Sequence, residues 1–198
     1  MIERFYAIRR MLAVRLGMEE RATQIVEFAV SLPLLMVLVV GIFDFSGAFS
    51  LKQKLTNAAR EGARAAAAGP ANDLVNPSSS TGVPASVNDA FWVVDNYLNS
   101  EQINDCGLSG ATATPSQLTW TYSANSNGCP GNGAVVLTIN RGCVTQSAGG
   151  IPVNVVGTCV SVKYPYKWRF NSVITLLVPA TYQGVTNVSG VAAAMNEN

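Results

Sequence analysis

The chain has 198 residues, with 13 Lys and Arg against 12 Asp and Glu for a net charge of +1. That balance averages a basic front and a nearly uncharged back: nine of the 13 cations lie between Arg4 and Arg64, and none falls between Ala65 and Asn140. No basic patch interleaved with aromatics is present, which argues against nucleic acid as a partner, because phosphate contacts need clustered Lys and Arg.

The segment up to Ala22 carries Arg4, Arg9, Arg10, Arg15 and Arg21 and forms a basic leader. From Phe28 to Phe43 the chain reads FAVSLPLLMVLVVGIF, without a single charge. Extended to Ile25 on one side and Phe49 on the other, the apolar stretch is interrupted only by Glu27 and Asp44. As a helix it would span roughly 36 Å, enough for the hydrocarbon layer of a bilayer. It is apolar around its whole circumference, as a lipid-facing helix is. A cleaved secretory signal fits less well: the leader contains three acids, and Asp44-Phe45-Ser46 stands where a small-residue cleavage site would be. Asp44 is expected to snorkel near the outer surface. Pro33 removes one backbone bond and predicts a kink.

Residues Leu51 to Ala68 (LKQKLTNAAREGARAAAA) continue as helix, built from strong helix formers and stopped by Gly69-Pro70. Leu55, Ala58, Ala59, Gly62, Ala63 and Ala66 fall on one narrow stripe of small residues, suited to close approach by another element. The stripe fits the protein's own domain or a neighbouring subunit equally well.

Glu27 is the least expected residue of the apolar segment, because an acid there is costly unless paired or wetted. Placement in a first helical turn, favoured by the helix dipole, would explain it without a function. A cut after Ala22 would instead leave the Thr23 amine about one turn from Glu27. The sequence around it, MEERATQIVEF from Met18 to Phe28, resembles the class III signal of type IV pilin-like proteins. In those signals a prepilin peptidase cleaves after a small residue and a glutamate stands at mature position five. The continuation EFAVSLPLLMVLVVGIFDFSGAF and then LTNAAREGARAAAAG is similar to the TadE-like family of tight-adherence (Flp/Tad) pilus proteins. VKYPYKWRF at Val162–Phe170 and the AAAMNEN ending also resemble that family's closing stretch. Ala22 departs from the pattern, where glycine is more usual before the cut.

After a Pro/Asn/Ser-rich linker over residues 70–85, the pattern predicts a helix from Ser86 to about Asn99, capped by Ser86 and presenting Val87, Ala90, Phe91, Val94 and Leu98 on one face. Asp89, Asp95, Glu101 and Asp105 are read as its solvated surface. Strands follow at 117–123, 134–140, 153–166 and 184–193, rich in Val, Ile, Thr and Tyr. All four cysteines, Cys106, Cys129, Cys143 and Cys159, lie in this half, none of them close enough to another to form a C-x-x-C pair, and the chain has no histidine. That spacing does not suit zinc, so two disulfides in an oxidising compartment are expected. Three pairings are possible. A hairpin turning at Gly149-Gly150 favours Cys143–Cys159, leaving Cys106–Cys129.

The fold class expected is α+β: a long N-terminal transmembrane helix, pilin-like, packed on or leading into a disulfide-stapled antiparallel sheet. Its parts are a cytoplasmic leader (1–22), cleaved between Ala22 and Thr23, a membrane-spanning and extended helix (23–69), a linker (70–85) and an extracytoplasmic domain (86–198). The cysteines place the N-terminus in the cytoplasm and the domain outside. No catalytic residue, cofactor or metal is expected, because no set of titratable groups converges.

The resemblance implies a minor pilin or pseudopilin of the bacterial inner membrane, with a periplasmic head that could enter the pilus. Membrane lipid, prepilin peptidase, other pilin subunits and the Tad machinery would be its partners, and Glu27 would set subunit registry. A bulk filament subunit fits less well, since the resemblance implies that major Flp pilins are very short. The alternative from another class is a permanently anchored binding or adhesin module that never polymerises.

Overall fold

A computed structural model describes residues 2–74, 82–126, 128–146, 154–170 and 185–196, with side chains of the first helix described from Thr23 onward. Helix α1 (Ile2–Ala68) runs through Pro33 without losing its helical assignment. A 3-10 turn (Ala71–Leu74) leads to α2 (Ala85–Ser100). Five strands follow: β1 (Thr114–Ser116), β2 (Thr119–Ala124), β3 (Val135–Gln146), β4 (Asn154–Lys167) and β5 (Val185–Met195). They form one antiparallel sheet in the order β1-β2-β3-β4-β5. The architecture is therefore α+β, a long apolar N-terminal helix joined to a disulfide-bearing antiparallel sheet.

The period of two along each strand decides which sheet face is buried. Trp120 pairs with Ile139, Ile139 with Val160, and Tyr122 with Leu137. Together with Val135, Val162 and Tyr164 they make a ladder of buried side chains on one face. That face is covered by the upper part of α1 and by α2. Val87, Ala90, Phe91, Val94 and Leu98 of α2 are buried, and Phe91 stacks on Tyr122 with ring centroids 4.5 Å apart.

The small-residue stripe of α1 packs against the chain's own domain. Leu55, Ala58, Ala59, Ala63 and Ala66 have no exposed surface. A Cβ on Gly62 would lie 2.6 Å from Val94, and one on Gly190 of β5 would collide with the backbone of Leu55 and Thr56. Gly62 thus makes room for Val94 of α2, and Gly190 lets β5 approach the backbone of α1 closely.

Three local expectations are corrected. Ser86 does not cap α2; it is buried with its hydroxyl unpartnered, while Asp73 accepts a bond from the Ser86 N–H at 2.9 Å. Asp95 is 3% exposed rather than solvated, because its position adjoins the Phe91 and Leu98 edge of the apolar face. Strand β3 extends beyond Asn140 through a bulge, with Asn140 Oδ1 accepting from the Gly142 N–H at 2.8 Å. The Gly149-Gly150 turn lies outside the described residues. Disulfides join Cys106 to Cys129 and Cys143 to Cys159.

Candidate functional site

Helix α1 is two structures in one. Over Thr23–Phe43 the large apolar side chains face outward: Ile25 is 69% exposed, Leu34 76% and Phe43 66%. As a helix this stretch is a rod roughly 30 Å long, the thickness of a bilayer's hydrocarbon core. None of the most apolar stretch is buried inside the fold. A soluble protein's core helix would bury such a surface, and the exposed rod has the length and exposure of a single-pass anchor. Among the described residues this is the one helix long and apolar enough to cross a membrane. Glu27 lies exposed on it, and the backbone is helical across Ala22 and Thr23.

The rod meets the head at Asp44, which the sequence suggested would snorkel into solvent. It is instead 1% exposed. Its Oδ1 accepts the Arg169 N–H at 3.0 Å and its Oδ2 the Phe170 N–H at 3.2 Å. The Tyr166 hydroxyl donates to the Asp44 carbonyl oxygen at 3.3 Å. Gly47 makes room for that hydroxyl, since a Cβ there would lie 2.7 Å from it. Burial, and then the Asp44 charge, push the Tyr166 phenol above its ordinary value, with Arg169 opposing. The phenol therefore keeps its proton, and with it the bond. Phe45, Trp168 and Tyr166 continue the junction as edge-to-face aromatic contacts, with centroids 5.6 Å and 5.2 Å apart.

At the other end of the packed helix, Arg141 closes the structure. Its guanidinium is buried and donates to the carbonyls of Ala66 and Gly69, to Thr158 Oγ1 at 3.0 Å and to Asn196 Oδ1 at 3.4 Å. A cation bonded to the last carbonyls of α1 meets the negative end of the helix dipole. Desolvation pushes its pKa down, partly opposed by Asp73. Asp44 and Arg141 thus pin the two ends of the packed segment, and Lys54 adds an ion pair to Glu101 at 3.0 Å between them.

The site residues expected from sequence do not converge. Thr23 and Glu27 stand on the projecting rod, the side chain of Ala22 lies outside the described residues, and the four cysteines staple the head. Asp44 and Arg141 escaped sequence reasoning. The available signals were an acid inside an apolar run and a single cation that ends the cation-free stretch from Ala65 to Asn140.

A projecting apolar rod, a helix pinned to its own domain and a disulfide-bearing sheet define a helix-anchored head protein. Residues 23–64 match the sequence model of the family described as TadE-like protein, so the chain carries a TadE-like segment. The match spans the rod and most of the pinned segment. No curated protein and no solved structure is significantly similar to the chain.

Proposed function

We propose that this protein is a minor pilin or pseudopilin of a Flp/Tad pilus. It is held in the bacterial inner membrane by Thr23–Phe43, with its leader in the cytoplasm and its head in the periplasm. The observation that carries this reading is the apolar rod left uncovered while the small-residue stripe above it is fully buried by the head. The rod is a surface for lipid before assembly and for neighbouring helices afterwards. The TadE-like match, which begins at Thr23, supports it further.

Prepilin peptidase would cut between Ala22 and Thr23, and Glu27 would then lie about 6 Å along the helix from the new amine. That places the carboxylate to pair with its own or a neighbour's terminus and set registry, since a charge at membrane depth needs a partner. The role is one of assembly, with no catalytic step.

Intact mass of membrane-extracted protein tests the processing step. A chain beginning at Thr23 is expected, whereas an unprocessed leader in piliated cells refutes it and favours a static anchor. Glu27→Ala is expected to be processed and membrane-bound but absent from filaments. Unchanged piliation would remove Glu27 from registry.

A further inference from the structure

Two grooves flank α1 where it enters the head. One, about 340 Å³, is lined by Phe45, Phe49, Lys52, Trp168 and Val188. The other, about 400 Å³, is lined by Lys54, Glu101, Tyr166, Lys167 and Arg169 among others. Trp168, just past the end of β4, lines the first groove, and Lys167 and Arg169 line the second.

The height of these grooves is set by the Asp44 joint. If Thr23–Phe43 fills the hydrocarbon layer, the polar headgroup zone beyond it is about 5–8 Å deep on each side. That depth covers residues 44 to about 48, with Phe49 at its edge. Phe45 and Phe49 are exposed there, at 69% and 62%. Trp168, edge-to-face with Phe45, is of a residue type enriched at the membrane–water interface. The local charge is cationic. Asp44 is buried and satisfied by backbone N–H groups, and Glu101 is taken up by Lys54. Lys52, Lys167 and Arg169 remain exposed.

We propose that this collar is a seat for anionic phospholipid in the leaflet on the head's side. Lys167 and Arg169 hold the headgroup phosphates, with the Lys52 side chain reaching down from just beyond them, and Phe45 and Trp168 lie at the level of the glycerol, below Phe49. The inference rests on the membrane-anchored reading but not on its orientation, on cleavage or on polymerisation. Its consequence is that lipid charge fixes the head against the bilayer, through the rigid Asp44 joint, before any subunit docks.

The test uses the full-length chain carrying Trp92→Phe, reconstituted in phosphatidylcholine vesicles. Traces of acyl-brominated phosphatidylglycerol or acyl-brominated phosphatidylcholine then serve as fluorescence quenchers. Trp120 is 1% exposed in the core and supplies a constant background. Trp168 is expected to be quenched by roughly fivefold less brominated phosphatidylglycerol than phosphatidylcholine, because each interfacial cation attracts anionic lipid. The triple variant Lys52→Gln, Lys167→Gln, Arg169→Gln alters only exposed side chains, and it should lose the preference with an unchanged melting temperature. Equal quenching by both lipids in carbonate-resistant, inserted protein would overturn the proposal while leaving the anchor intact. Failure of the protein to resist carbonate extraction would instead remove the anchored reading itself. Disulfide crosslinking of Phe49→Cys between copies, with Trp168 shielded from both lipids, would show a second chain on this surface and also overturn it.

Discussion

Replacing Arg141 with Met should unpin the top of α1 from the sheet. Met keeps much of the buried stem but removes the guanidinium that serves Ala66, Gly69, Thr158 and Asn196. Hydrogen bonds to charged groups contribute about 1.5–3 kcal/mol each, but burying the charge costs several kcal/mol, so the gross sum is not the loss. What remains after substitution is the Gly69 carbonyl without this donor, while the Ala66 carbonyl keeps only the Gly69 N–H and the Thr158 hydroxyl only Asn196. Removing one partner from a buried charged network typically costs about 3–5 kcal/mol. That corresponds to a fall in melting temperature of roughly 10–20 °C for a domain of this size. Urea unfolding of the detergent-solubilised chain, followed by tryptophan fluorescence, measures it. Arg141→Lys should fall between the two, because one ammonium cannot span both carbonyls. A loss below about 1 kcal/mol for Arg141→Met would refute the idea that this cation holds helix to sheet.

Gly190→Ala should destabilise the head by about 1–3 kcal/mol through overpacking at the Leu55–Thr56 backbone, while Gly110→Ala, with open space around its Cβ, should stay within about 0.5 kcal/mol in the same unfolding assay. Asp44→Ala should leave the Arg169 and Phe170 N–H groups unpaired and speed tryptic cleavage after Arg169 several-fold; an unchanged rate would deny Asp44 its role as the joint. Burial first, then the Asp105 charge and a hydrogen bond with it, raise the Asp95 pKa above its ordinary 3.8. A raised acid binds its proton more tightly when folded, so its favourable term is complete below about pH 3.8 and is lost as pH rises through the folded pKa. Asp95→Asn should therefore gain stability over the parent protein between pH 4 and 7, and parallel melting curves across that range would refute this.

How much of this was legible in the sequence depended on whether the deciding partner was local. The apolar run, the Ala/Gly stripe and the apolar face of α2 are written in short periodicities, and the structure uses each of them. The destination of the stripe was not readable, because small residues admit any close partner; Gly190, far along the chain from Gly62, supplies one half of the answer. The seat of Asp44 is hidden from the sequence for the same reason. Its partners are backbone N–H groups 125 and 126 residues further on, and backbone donors leave no mark in a sequence. The burial of Asp95 is legible by contrast, since it stands one helical turn from both Phe91 and Leu98, beside the apolar face of α2. Strand β1 is a three-residue piece that includes Pro115, too short for alternation to show.

The division of α1 constrains how any filament contact could form. Above Asp44 the face turned away from the head carries Lys52, Gln53, Asn57, Arg60, Glu61 and Arg64, all exposed, with Arg64 and Glu61 paired at 3.2 Å. A neighbour's apolar helix would desolvate those charges without compensation. The opposite face is already spent on the head. Helix-to-helix packing is left to Thr23–Phe43, where lipid tails compete on equal terms with Leu and Val and apolar contact alone supplies little drive. What discriminates between lipid and a neighbouring helix must then be polar, and Glu27 is the one acid on that stretch. The rod proposed as a membrane anchor would thus become an assembly element only if its acid found a cation there. The amine that cleavage would create at Thr23 of an adjacent chain would be such a cation, which is why registry would depend on processing.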